Sequence, residues 1–166
     1  MKSTHTLVCI LVFVLIGCDF GTDVDRRSTF AIYRLSDPSL TASQVWNEPL
    51  ESLVLAESPF LSTEDLKSYN WQTHEFAVIP SVDSQLAFLQ RTLGPTGGIP
   101  FVVEVDNDRI YLGAFWYPYS SLMPQVPFID AVLAPHRINQ NGLVSGDKRT
   151  DARIYRALKA ACVLIE

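Results

Sequence analysis

The chain has 166 residues, 48% of them hydrophobic and 19% charged, with a formal net charge of −5. That length suits one domain, and the composition suits a packed globule rather than a disordered chain. A mildly acidic chain whose basic residues cluster only as the pairs Arg26-Arg27 and Lys148-Arg149 argues against a nucleic-acid partner.

Residues 1–17 read as a signal peptide. Lys2 supplies a basic start, and Leu7 to Ile16 is an unbroken apolar run of ten residues. The run is too short to span a bilayer, which needs about 20 residues. It ends in Leu15-Ile16-Gly17-Cys18, which resembles the bacterial lipobox. Gly17 gives the small side chain before the cut, and the Cys18 thiol accepts diacylglycerol as a thioether. The expectation is a lipoprotein anchored through Cys18 and its acyl chains, such as palmitate, with each buried methylene adding about 0.8 kcal/mol. Its expected location is the cell envelope. Asp19 points to the periplasmic face of the inner membrane if the enteric aspartate rule applies.

After cleavage the charge is near −6, with 12 basic against 18 acidic residues. Cys9 leaves and Cys18 is consumed, so Cys162 is expected to pack as a small apolar residue, with no intramolecular disulfide in the mature chain. Residues 18–28 are the lipidated cysteine and a polar tether, and residues 29–166 form one globular domain.

Thr29–Leu35 predicts a first strand, closed by Asp37-Pro38. Ser39–Pro49 shows no period. Leu50–Ala56 predicts a second strand, stopped by Pro59. Ser62-Thr63-Glu64-Asp65 opens a short helix with acids at its positive end. Tyr69–Ile79 follows as a long strand, with a bulge near His74 to reconcile its two parities. Val82, Leu86, Leu89 and Leu93 share one helical face, which predicts a helix over Val82–Leu93. The Gly94–Gly98 stretch makes a turn or mobile loop. Pro100–Val105 and Arg109–Trp116 form a hairpin about Asp106-Asn107-Asp108. Phe128–Leu133 is a further strand and His136–Gly146 a loop. Asp151–Leu164 is a helix carrying Ile154, Leu158 and Cys162, with Thr150 or Asp151 as cap and Arg153, Arg156 and Lys159 on its wet side. Together these predict an α+β fold: a mainly antiparallel sheet with two or three helices packed on one face.

Pro59, Leu61, Ser62, Asp65 and Leu66, followed later by Val103, Val105, Asp106, Arg109 and Ile110, give a layout similar to the periplasmic head region of the protein-export subunit SecD. The likeness covers roughly a third of the chain. It implies a head-like α+β domain, without the export activity that the family's membrane helices support. The whole chain is also similar to uncharacterised bacterial envelope lipoproteins, which offer no activity to inherit.

No catalytic set stands out. The mature histidines are His74 and His136, and no nucleophile-elbow motif accompanies them. Asp106-Asn107-Asp108 lacks the spaced acids, glycine and closing glutamate of a calcium loop. No zinc motif is present, so no metal or cofactor is expected. The densest feature is Tyr111–Tyr119, with five aromatics in nine residues. Tyr111, Gly113, Phe115 and Tyr117 share one strand face; Leu112, Ala114 and Trp116 share the other. Two readings stay open. Either these side chains enter the core, or Tyr111, Phe115, Trp116, Tyr117 and Tyr119 form an exposed binding strip. The expected function is a membrane-anchored, non-catalytic domain that binds an envelope protein or cell-wall component. The alternatives are an envelope hydrolase using a histidine, or a small-molecule sensor.

Overall fold

Two neighbouring segments, Ile99–Val105 and Asp108–Trp116, carry large apolar side chains at both strand parities, so they have to be covered on both faces. A computed structural model, which describes residues 28–166 except 143, shows how this is done. The expected signal peptide, Cys18 and all but the last residue of the expected tether lie outside the described residues. The two segments are strands β5 (Ile99–Val105) and β6 (Asp108–Trp116) at the centre of a six-stranded sheet. Beside β5 run β1 (Phe30–Arg34) and β2 (Leu61–Ser62). Beside β6 run β7 (Phe128–Asp130) and β8 (Ala134–Asn139). A second sheet has three strands, with β3 (Leu66–Asn70) between β4 (Phe76–Val78) and β9 (Leu164–Ile165). Only β6 with β7 and β3 with β9 pair in parallel; the other named pairs are antiparallel. Among the described residues the helices are α1 (Ala42–Val45), α2 (Pro80–Arg91) and α3 (Ala152–Ala160). The domain is α+β with a mostly antiparallel sheet.

Two cores sit on opposite faces of the large sheet. On one, Phe30, Ile32, Phe101, Val103 and Phe115 meet α2, α3 and the small sheet. On the other, Val102, Leu112, Ala114 and Trp116 meet α1, Leu53 and Val126. The two longer helices therefore share a face. Between β5 and β6 the chain turns through Asp106 and Asn107, both with positive φ (53° and 70°). That backbone matches the right-handed twist of the flanking strands, and Asp and Asn tolerate it. The register then shifts, pairing Glu104 with Arg109 but Val103 with Tyr111, so Ile110 is an extra residue.

Several boundaries differ from expectation, each for a local reason. Leu50–Ala56 is not a strand: Leu50–Ser52 is a 3-10 turn, and only Leu55 bridges, to Leu35. The Arg109 guanidinium takes the Leu50 and Leu53 carbonyls that a ladder would need. Thr63–Asp65 is a single 3-10 turn, in which Ser62 N and Oγ both donate to Asp65 Oδ2 at 2.8 Å. Tyr69–Ile79 is a hairpin, not one bulged strand. Asn70 Oδ1 accepts from the N–H groups of Gln72 and Thr73 at 2.9 Å, and His74 turns the chain at φ 55°. Helix α2 starts earlier, with Pro80 in its first turn, and stops before Leu93, which is 91% exposed rather than in the core.

One helix lay hidden in the aperiodic Ser39–Pro49. A single turn offers too few buried positions, here Ala42 and Val45, to show a period. Strand β7 ends at Asp130, whose carboxylate takes the N–H groups of Val132 and Leu133 at 2.9 and 2.8 Å. The expected loop from His136 overlaps β8, where Ile138 is the one buried residue and no alternation shows.

Helix α3 is capped by Asp151, whose Oδ1 accepts from Arg153 N at 2.8 Å. It ends before Cys162. Cys162 takes a positive φ of 57° and donates its N–H to Lys159 O, while Val163 N–H reaches back to Leu158 O. This is the Schellman pattern, with cysteine where glycine is usual. Cys162 is thus exposed beyond the helix rather than packed on it. It is disulfide-bonded in the full-length chain, with its partner outside the described residues, whereas the expectation of no disulfide concerned the chain after cleavage.

Candidate functional site

The aromatic run is core. Tyr111, Phe115, Trp116 and Tyr117 are each at most 5% exposed, while Tyr119 is 47% exposed. An exposed binding strip made of all five is therefore corrected. Phe115 lies edge-on to Phe60 at 5.0 Å and tilted to Phe101 at 5.1 Å. The Gly94–Gly98 loop covers part of the aromatic run. A Cβ on Gly94 would come within 1.8 Å of the Tyr117 ring, and one on Gly98, whose φ is +73°, within 2.6 Å of Trp116. Tyr119 Oη donates to Gly94 O at 2.8 Å and stacks on Tyr117 at 5.5 Å. Burial pushes the Tyr117 phenol up, as it does Tyr111 and Tyr69.

The two histidines lie in unlike settings. His74 is buried, and its Nδ1 shares a 3.0 Å hydrogen bond with the Tyr69 hydroxyl. Burial, then the Arg149 charge, pull its pKa down to about 4, so it is neutral at pH 7. Its carbonyl accepts from Ile138 N at 3.1 Å, which ties the small sheet to β8. His136 Nε2 meets Asp83 Oδ1 at 2.8 Å on the surface, joining β8 to α2. No described serine, threonine or cysteine side chain is hydrogen-bonded to either imidazole.

At the start of β1, Asp106 accepts from Thr29 N at 2.8 Å and from Ser28 Oγ at 2.7 Å. Asp108 pairs with Arg153 at 3.6 Å, and Asp151 with the same guanidinium at 2.9 Å. A polar depression of about 340 Å³ lies between Ser28, Asp106, Asp108, Arg153 and Arg156. Its charges largely answer one another. Among the described residues no cluster of metal-ligating side chains occurs, and no helix is long and apolar enough to cross a membrane.

A second groove, of about 270 Å³, runs between the exposed flank of α2 and the end of β1. Ser84, Gln85, Phe88 and Leu89 form one wall; Arg34 and Phe60 form the other. Phe88 is 65% exposed although it sits on a helix whose other large apolar residues, Val82, Leu86 and Leu89, are buried. The half-buried Arg34 has no described ion-pair or hydrogen-bond partner for its guanidinium. The groove brings together residues that are far apart in sequence. The signal in the sequence was Phe88 lying off the apolar face of α2.

No family model, curated protein or solved structure matches the chain.

Proposed function

We propose that this chain is a bacterial envelope lipoprotein: cut before Cys18, acylated on that thiol, and carrying a non-catalytic binding domain in residues 29–166. One observation carries the reading, the ten-residue apolar run that ends in Leu15-Ile16-Gly17-Cys18. The start of the domain is compatible with it. The described chain passes from Ser28 straight into buried β1, and Thr29 is pinned to Asp106. A tether over residues 18–28 reaches at most roughly 35 Å, so the domain works close to the membrane surface. Its partner in this reading is an envelope protein or a cell-wall component, on the periplasmic face of the inner membrane if Asp19 acts as the enteric rule has it. The likeness of part of the chain to a periplasmic head region points the same way.

Intact mass of the membrane-extracted protein tests the proposal. The expected species starts at Cys18 and carries diacylglycerol and a further acyl chain. Cys18→Ser is expected to release the protein from the membrane fraction. A thioether on Cys18 and a disulfide from that thiol to Cys162 cannot coexist. Unprocessed Met1, or a Cys18–Cys162 disulfide with no acyl mass, sinks the lipoprotein reading.

A further inference from the structure

We propose that the groove between α2 and β1 holds a short segment of a partner protein in which a carboxylate side chain neighbours an aromatic or aliphatic one. The proposal deepens the binding-domain reading and rests on it.

Charge complementarity names the occupant. Arg34 is held half-buried beside Phe60 and Leu89, with no described acid to answer it. A guanidinium beside apolar walls is partly stripped of water. A carboxylate brought to it gains a two-pronged, charge-assisted bond in lower dielectric than at an open surface. Phe88 and Phe60 supply flat apolar area for the neighbouring side chain, and an exposed aromatic ring is the type of residue on which binding energy concentrates. Gln85 lines the same wall and offers its amide to a passing main chain, and Ser84 Oγ, which donates to Pro80 O at 2.8 Å, keeps lone pairs to accept an N–H.

Size favours a segment over a small molecule. The groove is open and holds about 270 Å³, whereas sites that enclose a whole ligand run from about 300 to 1,000 Å³. Position favours a partner over lipid. Phe30 stands where the tether enters, and Arg34 lies at the other end of β1, about 14 Å further along at strand rise.

The experiment uses the full lipoprotein in detergent and two fluorescein-labelled hexapeptide pools. One has Asp or Glu followed by Phe or Leu at its centre; the other has Asn or Gln in place of the acid. Fluorescence anisotropy is expected to show saturable binding of the acidic pool, at least tenfold tighter than the amide pool and weakened by salt. Arg34→Gln is expected to erase the difference between the pools. Phe88→Ser, at an exposed position, is expected to weaken both pools with circular dichroism unchanged. Equal binding of the two pools, no saturable binding, or full affinity in a folded Arg34→Gln protein overturns the proposal. Displacement by phenylpropionate with affinity equal to the acidic pool also overturns it, in favour of a small-carboxylate site. The acyl mass at Cys18 is read on the same sample, so failure of the groove and failure of the anchor are separate results.

Discussion

His74 combines a left-handed backbone, burial and a hydrogen bond to Tyr69 in one residue. Histidine tolerates positive φ better than most side chains, and asparagine tolerates it better still. The imidazole is buried neutral, with its pKa lowered from 6.5 to about 4. The unfolded chain therefore binds a proton that the folded chain refuses. The stabilisation is complete above the unfolded value and is lost as pH falls from 6.5 toward 4, by roughly 3 kcal/mol in all. The depressed carboxyls of Asp147 and Asp151, each held down first by a hydrogen bond from a neighbouring arginine, act below their ordinary value of 3.8, outside this window. Urea unfolding of the wild type is expected to show this decline between pH 7 and pH 4.5. His74→Asn keeps the backbone geometry and an acceptor for Tyr69, and is expected to flatten the slope. An unchanged slope in the variant would assign the decline to another group.

At the scale of elements, α3 shows how ends rather than faces decide a helix. Its start rests on Asp151, which holds Arg153 N at 2.8 Å. Asp151→Ala removes that acceptor and is expected to cost about 1 kcal/mol in chemical denaturation. Its end at Ala160 was hidden because Cys162, not glycine, takes the left-handed position. A four-residue apolar spacing of Ile154, Leu158 and Cys162 reads as continuous helix when no glycine marks the stop. The turn within Tyr69–Ile79 leaves little trace in the sequence for a related reason. Its turn is built by the Asn70 side chain and by a histidine at positive φ, and neither is a strong breaker in sequence. Helix α2 was legible because burial of Val82, Leu86 and Leu89 repeats over three turns.

For the whole molecule, burial of β5 and β6 from both sides is the organising fact. Phe115 is fully buried against Phe60 and Phe101. Phe115→Ala is expected to destabilise the domain by about 3–5 kcal/mol, read as a lower urea midpoint, through lost transfer energy and the cavity left behind. Phe88→Ser, on the exposed flank, is expected to change stability by about 0.5 kcal/mol or less. Comparable losses from the two would mean that the groove wall belongs to the core. With Cys18 acylated as proposed, Cys18→Ser is expected to release the protein from the membrane and leave the unfolding midpoint of the domain where it was.

The α+β class, the central hairpin with its turn at Asp106-Asn107, and the division of the aromatic run into two faces are all legible in the sequence. These depend on local alternation and turn chemistry, which neighbouring residues encode. The sequence also carries the Leu15-Ile16-Gly17-Cys18 pattern on which the proposed anchor rests. What covers the two faces of that hairpin is set by tertiary packing, since the covers, α1 on one side and α2 with α3 on the other, come from distant stretches of chain. For the same reason Tyr111, Phe115, Trp116 and Tyr117 are buried, while Arg34, Phe60 and Phe88 line a groove at the surface. Exposure is a property of what packs on a residue, and no local pattern around Arg34 states that its guanidinium meets no described acid.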